Sequence, residues 1–112
     1  MHEYSLVSAL VQRAEAEART RRATAVTRLR VRIGALAGVE PELLASAFTL
    51  CREGLLRDAS LEIETAEAVW ACPSCDTALA AGAVLRCPGC GLPARLVSGD
   101  ELMLEQIEME VP

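Results

Sequence analysis

The sequence predicts an α/β (α+β) fold: two helices packed on a small mixed sheet, a four-cysteine module inserted late in the chain, and a C-terminal strand that returns to the sheet. Three observations carry this. Apolar residues recur at helical spacing over residues 3–21, they alternate strictly with arginine over 28–33, and two CxxC motifs interrupt the chain between its strands.

Taken in order, Leu6, Val7, Leu10, Val11, Ala14 and Ala18 share one face of the first segment. Arg13, Glu15, Glu17 and Arg19 fall mostly on the other, which describes an amphipathic helix. Next, Leu29, Val31 and Ile33 face one way and Arg28, Arg30 and Arg32 the other, as in a half-buried strand. A row of arginines can bind phosphate. Residues 61–65 offer a simpler partner, because Leu61 and Ile63 alternate with Glu62 and Glu64 and would set carboxylates against the guanidinium groups.

Residues 34–38, Gly-Ala-Leu-Ala-Gly, form a flexible connection. Pro41 suits the first turn of a second helix whose dipole Glu40 and Glu42 complement. Leu44, Ala47, Phe48, Cys51 and Leu55 make its expected buried stripe, with an end near Gly54 and Asp58. Cys51 is read as a small core residue, since no thiol or histidine neighbours it in sequence.

A strand reaching Trp70 leads to Cys72-Pro73-Ser74-Cys75 and Cys87-Pro88-Gly89-Cys90, two knuckles separated by eleven residues. Each tight CxxC turn aims two sulfurs at one point, and two such turns supply the tetrahedral thiolates that Zn(II) prefers. Proline fixes φ inside each turn, while Gly89 and Gly91 allow positive φ and let N–H groups approach sulfur. A redox dithiol expects one such motif beside a βαβ pattern, not two in a loop-rich stretch. Trp70 is expected to pack over the metal and shield it. The intervening loop can hold a hairpin, 94–97 reads as extended, and Ser98-Gly99-Asp100 as a turn.

In the last segment, Leu102 and Leu104 lie on one parity and Ile107, Met109 and Val111 on the other. A strand with a bulge near Glu105 and Gln106 reconciles them. The expected partition is therefore an α/β domain of residues 1–68 and 99–112, with a zinc-binding domain of 69–98 inserted.

Composition narrows the function. Hydrophobic residues make up 52% of 112, so a real core can form although only three aromatics contribute. The cations are eleven arginines against sixteen acids, a net charge of −5 that four thiolates make more negative still. Such a surface is a poor ligand for nucleic acid, whose binding depends on neutralising phosphates. No apolar run is long enough for a membrane span and the first residues lack a signal-peptide core, so a cytoplasmic protein with reduced thiols is expected. No second histidine exists for a triad, no phosphate-cradling loop precedes a helix, and a zinc ion held by four thiolates has no open position for water. The chain reads as a non-enzyme.

Met1 should be retained before a residue as large as His2, which sets a free α-amine beside the lone histidine. One reading is a solvated terminus in which Glu3 merely complements the helix dipole. The other is a site: amine, imidazole and deprotonated amides make a square-planar nitrogen set, which favours Ni(II) or Cu(II).

Together these stretches resemble the HypA/HybF family of nickel-incorporation proteins in hydrogenase maturation. The resemblance runs from Met1-His2-Glu3-Tyr4-Ser5-Leu6 through Gly34-Ala35-Leu36, Pro41-Glu42-Leu43-Leu44, Ala47-Phe48 and the knuckles to Gly99-Asp100-Glu101-Leu102 and Ile107-Glu108-Met109-Glu110. It implies that Met1 through its amine, His2 through imidazole and amide, and the amide of Glu3 bind nickel, while Cys72, Cys75, Cys87 and Cys90 hold structural zinc. It further implies transfer of nickel toward the large subunit of NiFe hydrogenase with a HypB-type GTPase, and in some members toward urease. Monomer and homodimer both remain open. The rivals are a zinc-ribbon adaptor without nickel and a thiol redox protein. The loop between the knuckles is shorter than is usual for this pattern, and no second histidine is present to complete a nickel shell.

Overall fold

A computed structural model describes residues 2–75, 78, 79 and 85–112, of His2 the backbone alone. Helix α1 (His2–Thr20) buries Val7, Leu10, Val11, Ala14 and Ala18, the face expected from the sequence with bounds within one residue. Its end is a Schellman turn. The Ala23 amide bonds the Ala18 carbonyl at 2.9 Å and the Arg22 amide that of Arg19 at 3.0 Å, with Arg22 in the left-handed region at φ 56°.

Strand β1 (Ala25–Gly34) is central, and its inward side chains Leu29, Val31 and Ile33 are buried. It pairs in parallel with β2 (Ser60–Ala66), and antiparallel with the C-terminal strand, named β6 below (Leu102–Glu110), in the order β2-β1-β6. The parallel register places Arg30 beside Glu62 and Arg32 beside Glu64. Opposite β6 the register slips where Arg30 faces Gln106 but Val31 faces Leu104, leaving Glu105 as the extra residue. The bulge read from the change of apolar parity is therefore present.

Helix α2 (Pro41–Cys51) makes the crossover that a parallel β1–β2 pair requires. Leu44, Ala47 and Phe48 enter the core with the α1 and β1 residues. The helix ends one turn earlier than its apolar spacing suggested. Arg52 leaves the helix with ψ 130° while its amide still closes on the Phe48 carbonyl, and Gly54 follows with φ +57°. A short 3-10 turn (Gly54–Leu56) then delivers Leu56, fully buried, to the place expected for Leu55. Side chains rarely adopt that left-handed φ, and the Glu15 carboxylate sits 3.1 Å from where a Cβ on Gly54 would stand.

The remaining strands, β3 (Val69–Ala71), β4 (Ala78–Leu79) and β5 (Arg95–Ser98), form a second antiparallel sheet in the order β4-β3-β5. The chain leaves the first sheet after β2 and returns before β6; the two passages meet where a Cβ on Gly99 would fall 2.5 Å from the Ala68 Cα, and the return passage also packs on Gly34, the last residue of β1. The Gly34 amide bonds the Glu101 carbonyl at 2.9 Å and the Leu36 amide that of Gly99 at 2.7 Å. The hairpin expected between the knuckles falls largely on residues 76, 77 and 80–84, which lie outside those described.

Candidate metal centre

Cys72 follows directly on β3, and the turn through residues 73–75 brings Cys75 back so that its amide donates to the Cys72 sulfur at 3.3 Å. The second knuckle is held at its base by the bridge between Arg86 and Pro93, by the Cys87 amide on the Leu92 carbonyl at 2.9 Å, and by the Ala94 amide on the Leu85 carbonyl at 2.9 Å. Within it the Gly89 amide points at the Cys87 sulfur at 3.4 Å, as the sequence suggested. Gly91, at φ +76°, directs its amide to the Cys87 carbonyl at 2.8 Å instead of to sulfur, and its own carbonyl accepts from the Arg86 guanidinium at 2.9 Å.

These turns bring the sulfurs of Cys72, Cys75, Cys87 and Cys90 within 4.8 Å of one another. A tetrahedral thiolate shell at a metal–sulfur distance of about 2.3 Å has edges of about 3.8 Å, so the donor set fits a single divalent cation. Cys72 and Cys90 lie at 3.4 Å, beyond a disulfide, and all five cysteines are free thiols. Cys72 and Cys87 are buried while Cys75 and Cys90 are exposed, so the site has a protein side and a solvent side.

Proton affinities reflect the crowding. The Cys75 amide, aided by that of Ser74, lowers the Cys72 thiol from 9.0 to about 6 against an opposing effect of burial. Cys75, hydrogen-bonded to Cys72 and then to Cys90 and Cys87, is pushed up to about 12. At Cys90 the Leu92 amide lowers the pKa, but the bond to Cys72, desolvation and Cys87 outweigh it and the net shift is upward. Cys72 thus favours negative charge while Cys75 and Cys90 favour keeping their protons. A cation must displace those protons, which makes occupancy pH-dependent.

The module around this site has almost no core. Among its described residues only Ala71, Cys72 and Cys87 are buried. Two of the three are ligand candidates, so cohesion depends on what the sulfurs hold. Trp70 stands half-buried in the central strand opposite Leu79 and Leu96. The four cysteines are the only metal-capable cluster of His, Cys, Asp and Glu among the described residues.

At the other end of the chain, Met1 and the His2 imidazole lie outside the described residues. Glu3 is described, and its carboxylate does more than complement its own helix. It accepts the amide of Glu40 at 3.3 Å, at the N-cap of α2 where no side chain of α2 itself caps. The loop before α2 therefore abuts the start of α1, a proximity with no local signal in the sequence. Tyr4 is also tied to α2: its phenol pKa is raised by a hydrogen bond with Cys51 and by the charge there and at Glu53. Cys51 is half-buried against the core, in keeping with a packing role.

The arginine row is spoken for. Arg28 bonds Glu62 at 3.0 Å and also Glu108, Arg30 reaches Glu62 at 3.2 Å, and Arg32 reaches Glu64 at 3.3 Å and Glu105 at 3.2 Å. The ladder expected from the alternation of the first two strands exists, and β6 adds a second acidic row to it.

Comparison with known proteins agrees with this architecture. A family model described as hydrogenase/urease nickel incorporation, metallochaperone, hypA matches residues 1–109. The chain is similar to the hydrogenase maturation factor HypA of Shewanella sp. (strain MR-7), 40% identical over 98% of this chain and 96% of the relative. It is similar also to that of Aquifex aeolicus, 38% identical over 99% of each. Among solved structures, the Ni metallochaperone HypA from Helicobacter pylori superposes with a TM-score of 0.75 at 28% identity, covering 98% of both chains. A second HypA solution structure gives 0.83 at 29% identity, covering 100% of this chain and 98% of the other.

Proposed function

The chain belongs to the HypA family of nickel-incorporation metallochaperones, and on that premise we propose that it carries Ni(II) at its N-terminus for hydrogenase maturation. The observation that carries the reading is the extent of the match: residues 1–109 include both the Met1-His2-Glu3 opening and the four cysteines.

In this reading the α-amine of Met1, the imidazole and amide of His2 and the amide of Glu3 make a planar nitrogen set for the cargo. Helix geometry favours it. The first four N–H groups of a helix have no intrahelical acceptor, and α1 begins at His2, so metal bound to those amides breaks no hydrogen bond within the helix. The Glu3 carboxylate, engaged with the start of α2, ties this first turn of α1 to the rest of the domain.

Zinc is assigned to Cys72, Cys75, Cys87 and Cys90, where it closes residues 69–98 into a module inserted in the nickel-binding domain of residues 1–68 and 99–112. Four thiolates leave no open position, so that ion is structural and the protein is no enzyme. Cargo at an exposed end can be taken stepwise by an incoming ligand set, which suits transfer to a HypB-type GTPase and the NiFe hydrogenase large subunit in the cytoplasm. Urease is a second client by the same chemistry.

The test is a calorimetric nickel titration of the zinc-loaded chain beginning at Met1, beside one carrying an extra residue before it. The native form should bind about one nickel and the extended form far more weakly, with release on mild acidification as imidazole and amine regain protons. Equal binding by both overturns the terminal site, and binding by neither leaves a zinc-ribbon adaptor.

A further inference from the structure

Strand β6 is the edge of the first sheet, and no described residue pairs with its outer side. An open edge nine residues long is a template for another strand. Leu102–Glu110 carries neither lysine nor proline; the bulge at Glu105 and the glutamates are what guard this edge, and glutamates repel an acidic strand but attract a basic one.

A groove runs the length of this strand, between it and the outer flank of α1. Its first part, about 400 Å³, lies between Leu6, Leu10 and Arg13 of the helix and Asp100 and Leu102. The second, about 200 Å³, shares Arg13 and extends along Glu17, Leu104 and Ile107. The third, about 490 Å³, shares Glu17 and Ile107 and reaches Arg21, Met109 and Val111. Neighbouring depressions share lining residues, Arg13 in one case and Glu17 with Ile107 in the other, so they line up as a trough along the strand. Leu102, Leu104, Ile107 and Met109 pack against the core yet stay only partly buried, so their free sides form its apolar wall.

On the solvent face the sheet reads as alternating rows of charge: Glu62 and Glu64 on β2, the three arginines on β1, Glu105 and Glu108 on β6. Glu110 continues the outer acidic row and is exposed. The next strand in that sequence of rows is basic. No described strand of a second copy of this chain supplies one. Its β6 and β2 edges present glutamates, β1 is already paired on both sides, and the edges of the other sheet are two and four residues long.

We propose that the open edge of β6, with the trough between it and α1, receives an extended segment of a partner protein in which basic and apolar residues alternate. Backbone amides would extend the β6 ladder, apolar side chains would fill the trough, and the basic ones would lie beside Glu105, Glu108 and Glu110. This docking is independent of which cation the chain carries.

The probe is a synthetic peptide of about eight residues alternating valine and arginine, offered to the full metal-loaded chain. A valine–glutamate peptide and a valine–arginine peptide N-methylated at alternate residues are the controls. Affinity is read by fluorescence anisotropy at about 0.05 and 0.3 M salt, and the site by amide exchange. The arginine peptide should slow exchange at β6 amides, bind roughly tenfold or more tighter than either control, and weaken with salt. Glu110→Lys should weaken it roughly threefold or more.

Equal binding of the glutamate peptide, or no binding of the arginine peptide, overturns the proposal. Equal binding of the N-methylated peptide reduces the contact to surface charge and overturns it too. So does protection of β6 amides that is lost on dilution without peptide, because a second copy then covers the edge.

Discussion

Gly34→Ala should be among the most damaging small substitutions in this chain. A Cβ built on Gly34 would lie 2.2 Å from both the carbonyl carbon and oxygen of Gly99, whereas ordinary contact begins at 3.4 Å. The end of β1 and the return passage before β6 would have to separate by roughly 1 Å, and both partners are backbone, so no side chain can swing aside. That movement strains or breaks the Gly34–Glu101 and Leu36–Gly99 hydrogen bonds, each contributing about 0.5–1.5 kcal/mol. Overpacking adds about 1–3 kcal/mol. A total loss of about 3–5 kcal/mol follows, which for a chain of this size lowers Tm by roughly 10–20 °C. Thermal unfolding of metal-loaded protein measures it. Gly38→Ala is the control: its φ of +71° costs a side chain about 1 kcal/mol, but nothing lies within 4 Å of the new Cβ. If Gly34→Ala shifts Tm no more than Gly38→Ala, the close approach of the return passage to the end of β1 is wrong.

Three further outcomes follow from the same geometry. Stripping the cation with a chelator, or Cys72→Ser, should melt β3 and β5 while β1, β2 and β6 keep their amide protection, because the described residues of 69–98 bury only Ala71, Cys72 and Cys87; equal protection with and without metal would refute this. Leu56→Ala should cost about 2–5 kcal/mol in urea unfolding, clearly more than Leu55→Ala, and the reverse order would restore the longer helix read from the sequence. Arg30→Ala should cost less than about 1 kcal/mol and the loss should shrink in salt, because Arg30 and Glu62 are each more than two-fifths exposed; a salt-independent loss above about 2 kcal/mol would mean a desolvated pair.

Much of the candidate site was legible because its determinants are local. A CxxC turn aims its own two sulfurs, so the knuckles could be named from spacing, although the meeting of the two pairs is a tertiary event. The nickel assignment at Met1, His2 and Glu3 rests on the order of groups at a chain end, together with family membership. Where the sequence misled, a local signal competed with a global one. The apolar spacing from Leu44 to Leu55 continues a helix that in the fold ends at Cys51, with Arg52 already extended, and the core takes Leu56 instead.

The sequence by itself determined which faces are apolar. The face of α1, the inward side of β1, the arginine–glutamate ladder and the bulge at Glu105 all follow from periods of 3.6 and 2 that each segment carries alone. Only the tertiary structure decided what those faces meet. The parallel sense of β2, the carboxylate of Glu3 on the α2 N-cap, the close backbone approach of Gly34 and Gly99, and the trough beside β6 join residues far apart in the chain. Periodicity records which way a side chain points. It holds no record of distance between segments, which is set when one core packs all of them at once.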